Sequence, residues 1–440
     1  MTAPMAEIAP LTPLRYDLQR LFETGGMANV VAPPYDVIDA TQRAELAGRH
    51  PNNIVKLILP DGEGDAKYEH AKELYLAWRK DGVLTRDEEP GFYRYAQTFT
   101  PPGGGSSRTR VGFLGLVKLV GLDEGIVLPH ERTLSGPKED RLKLFRATRT
   151  NLSPGFMLYR DPDKKLDAPL ATAKPLAAFD TADGIHHELG KVSEPAALKA
   201  IIDGIASSSL LIADGHHRYE TALRYAREGN ATGRAEHAYF MVFLANGDDP
   251  DLVVFPTHRH VHSLPSFDFV EAVKGASALF DATPLPPGAS ADVYTEALAA
   301  SGAERPSLVI CAGDARATLL ALKRDADLAA HPILGQRVPE LRKTDVALLH
   351  MGILEPVLGV TPEMQAAKSN IWYPQDAAAA LRDLRGGKGQ TLFLMNGTPV
   401  AQVREVAEAG EVMPQKSTFF YPKVLTGLAV HTLEPDRTVA

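Results

Sequence analysis

The chain reads as a mixed α/β protein, and three observations lead there. Some segments repeat apolar residues at helical spacing while others are short apolar runs of strand type, and the two kinds alternate through the middle of the chain. With 440 residues, 44% of them hydrophobic, the chain is long enough to bury a sizeable core in two or three domains. Its one cysteine, Cys311, excludes an intrachain disulfide and, in the run Pro306-Ser307-Leu308-Val309-Ile310-Cys311, reads as a buried strand residue.

Taken in order, residues 30–32 predict a short strand stopped by Pro33 and Pro34, and residues 65–81 a helix from the spacing of Tyr68, Ala71, Leu74, Tyr75 and Trp78. Residues 91–98 and 109–119 predict two strands joined by the Pro-, Gly- and Ser-rich loop 101–107. The middle predicts a helix over 137–150, a strand over 155–159, a helix over 194–205 and a strand over 208–213. A helix follows that strand at once, with Tyr219, Ala222, Leu223 and Ala226 on one face, and strands come next at 238–244 and 252–256. Further on lie a helix over 267–279, strands at 307–311 and 317–322, a helix over 338–349 and a strand–helix pair within 391–408. Three regions result: 1–105, 106–265 and 266–440.

The formal net charge of −8 and a pI near 6.0 provide no basic field, so no nucleic-acid partner is expected. No apolar run approaches a membrane span, and the first ten residues lack a basic-then-apolar leader, so a cytoplasmic protein with no membrane partner is expected. One basic segment stands out, with Lys138, Arg141, Lys143, Arg146 and Arg149 against only Glu139 and Asp140. Such a run is ordinarily a solvated helix face; Lys138, Arg141 and Arg149 are its candidates for contact with an anionic substrate.

The strongest local signal is the apolar strand Leu210-Leu211-Ile212-Ala213 running through Asp214-Gly215 into a helix that opens with His216-His217-Arg218. A helix start presents backbone N–H groups and the positive end of its dipole, glycine lets a phosphate approach the backbone, and Arg218 offers a charged fork. Gly215, His216, His217, Arg218 and, one turn on, Thr221 are therefore the expected nucleotide-binding residues. Asp214 is the expected metal ligand or, in the plainer reading, a helix cap.

A second signal is Leu128-Pro129-His130-Glu131-Arg132-Thr133, where a carboxylate and a histidine on a Pro-led turn can act as base and orienting group. A third is Pro256-Thr257-His258-Arg259-His260-Val261-His262. If a strand continues through it, its histidines share one face that suits zinc; otherwise Thr257, His258 and Arg259 line a polar pocket while the later histidines are exposed. Near the C-terminus, Thr398-Pro399 predicts a helix start with Thr as cap and Pro at the first position, and Lys416-Ser417-Thr418 offers an anion contact through Lys416.

The chain resembles, over nearly its whole length, a bacterial and archaeal family catalogued as domain of unknown function 1015. The residues that carry the resemblance are Val31-Ala32-Pro33-Pro34-Tyr35-Asp36-Val37, Pro51-Asn52-Asn53-Ile54, His130-Glu131-Arg132-Thr133, Arg146 to Pro154, Ala213 to Glu220, Pro256-Thr257-His258-Arg259 and Val412 to Lys423. More distantly, the turn from Asp214 to Arg218 is similar to that of the ParB and sulfiredoxin-like superfamily, which includes free serine kinases. That resemblance implies a central nucleotide-binding region with α/β extensions on both sides. It also implies a phosphate cradle from Gly215 to Arg218, Asp214 as the acidic residue, and a His130-Glu131 pair whose glutamate is the base. The stretch from Glu131 to Asp214 is longer than in the compact kinase, which implies either an insertion or a different pairing. No cysteine occupies 214–218, which disfavours sulfinic acid reduction.

The expected activity is phosphoryl transfer from ATP or ADP, with Mg2+, to a small hydroxylated metabolite such as free L-serine. A non-catalytic nucleotide sensor and a metal-dependent hydrolase are the alternatives left open, and a homodimer is an assembly the sequence allows.

Overall fold

A computed structural model describes residues 6–102, 104–131, 135–434 and 436–440. Gly103 of the predicted loop, Arg132 and Thr133 of the His-Glu segment, and the first five residues of the leader reading lie outside the described residues. By its contacts the chain divides into one unit of Met1–Pro129, Thr133–Val253 and Pro422–Ala440, and a second of His130–Arg132 and Val254–Tyr421.

In the first unit, strand Phe92–Phe99 turns back through the Pro/Gly/Ser loop against Arg108–Lys118, with Tyr93 opposite Leu114 and Gln97 opposite Arg110. They lie within a nine-stranded mixed sheet, which runs Val127–Leu128, Leu210–Asp214, Gly155–Tyr159, Tyr239–Asn246, Arg108–Lys118, Phe92–Phe99, His186–Val192, Lys174–Asp180. Ile8–Ala9 adds to the far end of Arg108–Lys118. Every residue of Tyr239–Asn246 is buried, which is why this strand reads as a continuous apolar run with no alternation. Its core joins Phe113, Met157, Ile201, Ile212, Tyr219 and Phe240. Helix Ser135–Thr148 packs on helix His216–Glu228, so the basic segment is a helix in contact with the turn's own helix.

The second unit holds a six-stranded sheet, antiparallel throughout, in the order Phe280–Leu285, Ala317–Leu322, Ser307–Ala312, Thr391–Met395, Arg259–Val261, Ile371–Trp372. Helices Ala291–Gly302 and Ala377–Arg385 bury Tyr294, Leu298, Leu381 and Leu384 with Val309, Cys311 and Leu392. Cys311 is buried in its strand, and burial pushes its thiol up to about 12.

The mixed α/β class is as expected, and three local expectations are corrected. Residues 30–32 form no strand: a single turn, Met27–Asn29, precedes one isolated bridge between Ala32 and Thr426, because Pro33 and Pro34 cannot extend a ladder. The helix expected over 338–349 is two, Pro339–Arg342 and Asp345–Leu349, because the Thr344 hydroxyl accepts from Ala347 N at 3.1 Å and starts a new helix. Thr398 does not cap the next helix. Pro399 holds the cap position of Val400–Glu408, and the Thr398 hydroxyl donates to the Ser417 carbonyl at 3.3 Å. Among the described residues no helix is long and apolar enough to cross a membrane.

Candidate functional site

Strand Leu210–Asp214 is buried through Ala213, and its last residue emerges at the sheet's edge of burial. Gly215 then adopts φ 91° and ψ 30°, the left-handed conformation that L side chains resist, and the helix His216–Glu228 begins at the next residue. A Cβ at Gly215 would stand 2.9 Å from Arg218 Nε, so the turn excludes side chains on steric grounds as well. Asp214 Oδ1 accepts from Gly215 N at 2.9 Å, while Oδ2 lies 3.3 Å from Arg218 Nη2 and 3.5 Å from Lys423 Nζ.

Arg218 is 4% exposed, and its guanidinium also donates to the Pro154 carbonyl. The fork expected to grip phosphate is thus turned inward, where it braces the turn. Lys423 is held by its backbone: Gln97 Nε2 donates to the Lys423 carbonyl at 3.0 Å and Arg110 Nη2 donates to that of Pro422. Arg110 and Gln97 are cross-strand partners that also bond each other. Arg110 is 1% exposed, lies 4.8 Å over the Phe156 ring, and keeps Nε and Nη1 without a hydrogen-bond partner. Burial lowers it to about 10, with Asp214 acting to hold its charge, so it stays cationic at neutral pH. Three cations and a helix N-terminus around one carboxylate leave the turn net positive, as an anion site requires.

Within the second unit, His130 and Glu131 are fastened to the segment around Met413 and Ser417. Met413 N donates to the His130 carbonyl at 2.8 Å, and Ser417 N donates to Glu131 Oε1 at 3.0 Å. The Glu131 side chain is 20% exposed. His130 is buried, with Nε2 2.8 Å from Thr418 Oγ1 and 4.0 Å from Glu131 Oε1, too far for a hydrogen bond to the carboxylate. The result is a partly exposed carboxylate held through Oε1, an arrangement that suits a general base.

Arg259 supports that segment. It is buried over the Tyr373 ring and donates to the Thr257, Gln415 and Lys416 carbonyls and, at 2.9 Å, to His350 Nε2. Since His350 Nε2 accepts, Nδ1 carries the hydrogen toward Gln365 Oε1 at 2.6 Å, and burial, which takes His350 down to about 3, keeps the ring neutral as this requires.

A family model described as "Protein of unknown function (DUF1015)" matches residues 8–347. The chain belongs to the DUF1015 family. No curated protein matches this DUF1015 chain in sequence. Among solved structures it is similar to a conserved hypothetical protein from Pyrococcus furiosus, at 14% identity and TM-score 0.34 over 68% of this chain and 88% of that one. It is also similar to a free serine kinase in complex with AMP, at 12% identity and TM-score 0.37 over 72% and 91%. A C-terminally truncated SbnI from Staphylococcus aureus shares 11% identity, TM-score 0.32, over 71% and 85%.

The other residues singled out in this DUF1015 sequence are dispersed. Thr221 is buried and donates to the His217 carbonyl at 2.7 Å; His217 is partly exposed, His216 less so. Lys138 pairs with Glu220 at 2.5 Å, Arg141 stacks 4.3 Å over Tyr35 and donates to the Ile58 carbonyl, and Arg149 and Lys416 are exposed. The histidine stripe gathers no ligand set. His258 Nδ1 accepts from Met395 N at 3.1 Å, His260 meets Trp372 edge-on, and His262 stacks on that same ring at 4.0 Å. His260, expected to be exposed, is buried, because it lies on a strand paired on both sides. Among the described residues no group of three His, Cys, Asp or Glu can hold a metal ion. A Mg2+ that arrives with a nucleotide needs only one or two protein carboxylates, and Asp214, with Oδ1 on Gly215 N and Oδ2 between two cations, would have to give up an ion pair to serve as one. Arg110 and Lys423 were missed as site residues, since neither stands in the Asp214–Arg218 motif. The available signal was an arginine at a position of Arg108–Lys118 that pairs inside a buried sheet.

Proposed function

We propose that the chain is a nucleotide-dependent phosphotransferase that uses ATP or ADP and acts on a small hydroxylated metabolite of the class of free L-serine. The observation that carries the reading is the net-positive turn at Asp214-Gly215, where a left-handed glycine, a helix N-terminus, Lys423 and buried Arg110 surround one carboxylate. In this reading the helix start and Lys423 bind the nucleotide's phosphates, while Arg218 keeps the turn's shape. Mg2+, when bound, would neutralise phosphate charge, with Asp214 the residue to hold it. Glu131, held through Oε1 by Ser417 N, takes the acceptor's hydroxyl proton. Arg259 holds the 415–416 backbone and its charge acts on Glu131, so it is a positioning residue.

The test is Glu131→Gln, whose amide oxygen can still accept from Ser417 N but cannot take up a proton. Turnover with L-serine and ATP or ADP should fall about 10²–10⁴-fold while nucleotide affinity, read by calorimetry, stays near wild type. Near-normal turnover in the variant would remove Glu131 from the chemistry. Wild-type protein that binds nucleotide yet phosphorylates none of a panel of hydroxylated metabolites would overturn the enzyme in favour of the sensor.

A further inference from the structure

The second unit contains a cleft of about 190 Å³ that neither His130 nor Glu131 lines. Such a volume is several times the ~30 Å³ share of one water. One wall is apolar, from Ile333, Met351, Ala366 and Met413. A π-helical turn, His350–Leu354, contributes His350 and Met351 to the lining, and such turns are frequent where a helix serves a site. His350 and Gln365 also face the cleft but are spent on each other, and Gln365 Nε2 donates to the Val360 carbonyl at 2.8 Å.

Three polar groups in the lining are placed to meet a ligand. Arg337 Nε is buried without a hydrogen-bond partner, and its Nη1 forms a loose ion pair with Glu411 Oε2 at 3.8 Å that leaves the guanidinium's hydrogen bonds open to a ligand. The Tyr373 hydroxyl is likewise buried and unpartnered, and burial raises its pKa, so it remains a donor at neutral pH. Glu355 also lines the cleft and is half-buried. Arg337, whose side chain is 34% exposed, and the half-buried Glu355 thus line one largely apolar cleft where a charged ligand can reach both. An anion would satisfy Arg337 and be repelled by Glu355; a cation would do the reverse. A ligand that carries both charges compensates both.

We propose that this cleft binds a small zwitterion, an α-amino acid with an apolar side chain, its carboxylate on Arg337 and Tyr373 and its ammonium on Glu355. The side chain lies on the Met351 and Met413 wall. The Glu131 carboxylate acts on the cleft's Tyr373, and the lining shares the 412–415 segment that leads to Ser417, the residue that holds Glu131.

The experiment is calorimetric titration of the full chain with L-leucine, 4-methylpentanoate, which lacks the amine, and 3-methylbutylamine, which lacks the carboxylate. Saturable L-leucine binding is expected, with each analogue weaker by about tenfold or more. Glu355→Gln, which preserves shape, should weaken L-leucine to a similar degree yet leave 4-methylpentanoate no weaker, and Arg337→Met should lose L-leucine and 4-methylpentanoate alike. ATP affinity should be unchanged in both variants, which keeps this result distinct from that for the phosphotransferase. The proposal is overturned if wild-type protein shows no saturable binding of L-leucine, L-isoleucine or L-methionine, if the three titrants bind equally, or if Glu355→Gln binds L-leucine as wild type does.

Discussion

Asp214 owes its setting to residues of two kinds. Arg218 comes from the same turn and is buried, so its loss strands the Pro154 carbonyl and part of the Asp214 charge. Lys423 comes from a distant segment and keeps a side chain 19% exposed, so its loss leaves the fold intact and removes a cation from the anion site. Arg218→Ala should therefore lower unfolding free energy by about 1–3 kcal/mol, whereas Lys423→Met should leave the urea midpoint near wild type and weaken ATP or ADP binding about tenfold. Nucleotide affinity unchanged in Lys423→Met would take that residue out of the phosphate site. The contrast also marks what sequence can reveal about single residues. A local motif displays Asp214, Gly215 and Arg218 together, but nothing in the order of residues says that Arg218 points inward, or that Gln97 and Arg110 reach the backbone beside Lys423.

Elements are legible to the degree that they are buried on a regular face. Gly155–Tyr159, Tyr239–Asn246 and Ser307–Ala312 are buried throughout, and their apolar runs announce them. Lys174–Asp180 and Phe280–Leu285 end their sheets and expose most of their residues, so no alternation marks them and both escape prediction. Breaks inside an apolar stretch are equally hidden, as at Thr344. The junction of strand and helix at Gly215 is the opposite case, since only glycine tolerates both its φ and the approach of Arg218. Gly215→Ala should cost about 1–2 kcal/mol from the left-handed backbone alone. Gly48 provides the control: it lies in helix Ala40–Arg49 with open space around its Cβ position, so Gly48→Ala should stabilise by about 0.5–1 kcal/mol. Equal urea midpoints for the two variants would show that the turn is not conformationally constrained.

Across the whole molecule, stability responds to acid through two sets of carboxylates that act in separate pH windows. Burial works against the charge of Asp87 and Asp140, but Arg15 and Tyr93 beside the first, and Arg141 and Lys67 beside the second, hold both below the usual range. Their contribution is present above about pH 4 and is lost only as the pH falls further. Asp345 differs. It opens helix Asp345–Leu349, accepts from Asn396 Nδ2 at 3.2 Å and Ser307 N at 3.3 Å, and burial nevertheless raises it from 3.8 to about 6. A raised folded value means that the folded chain binds the proton more tightly than the unfolded one. The resulting stability is complete below pH 4 and is lost as the pH rises through about 6, by roughly 3 kcal/mol in all. Asp345→Asn cannot ionise and escapes that loss, whatever fixed cost its amide incurs against two donors. Urea unfolding of both proteins from pH 4 to pH 7 should therefore show the variant gaining on wild type across pH 4–6 and holding a constant difference above it. A difference that stays flat over the whole range would mean that Asp345 is ionised in the folded chain at its ordinary value.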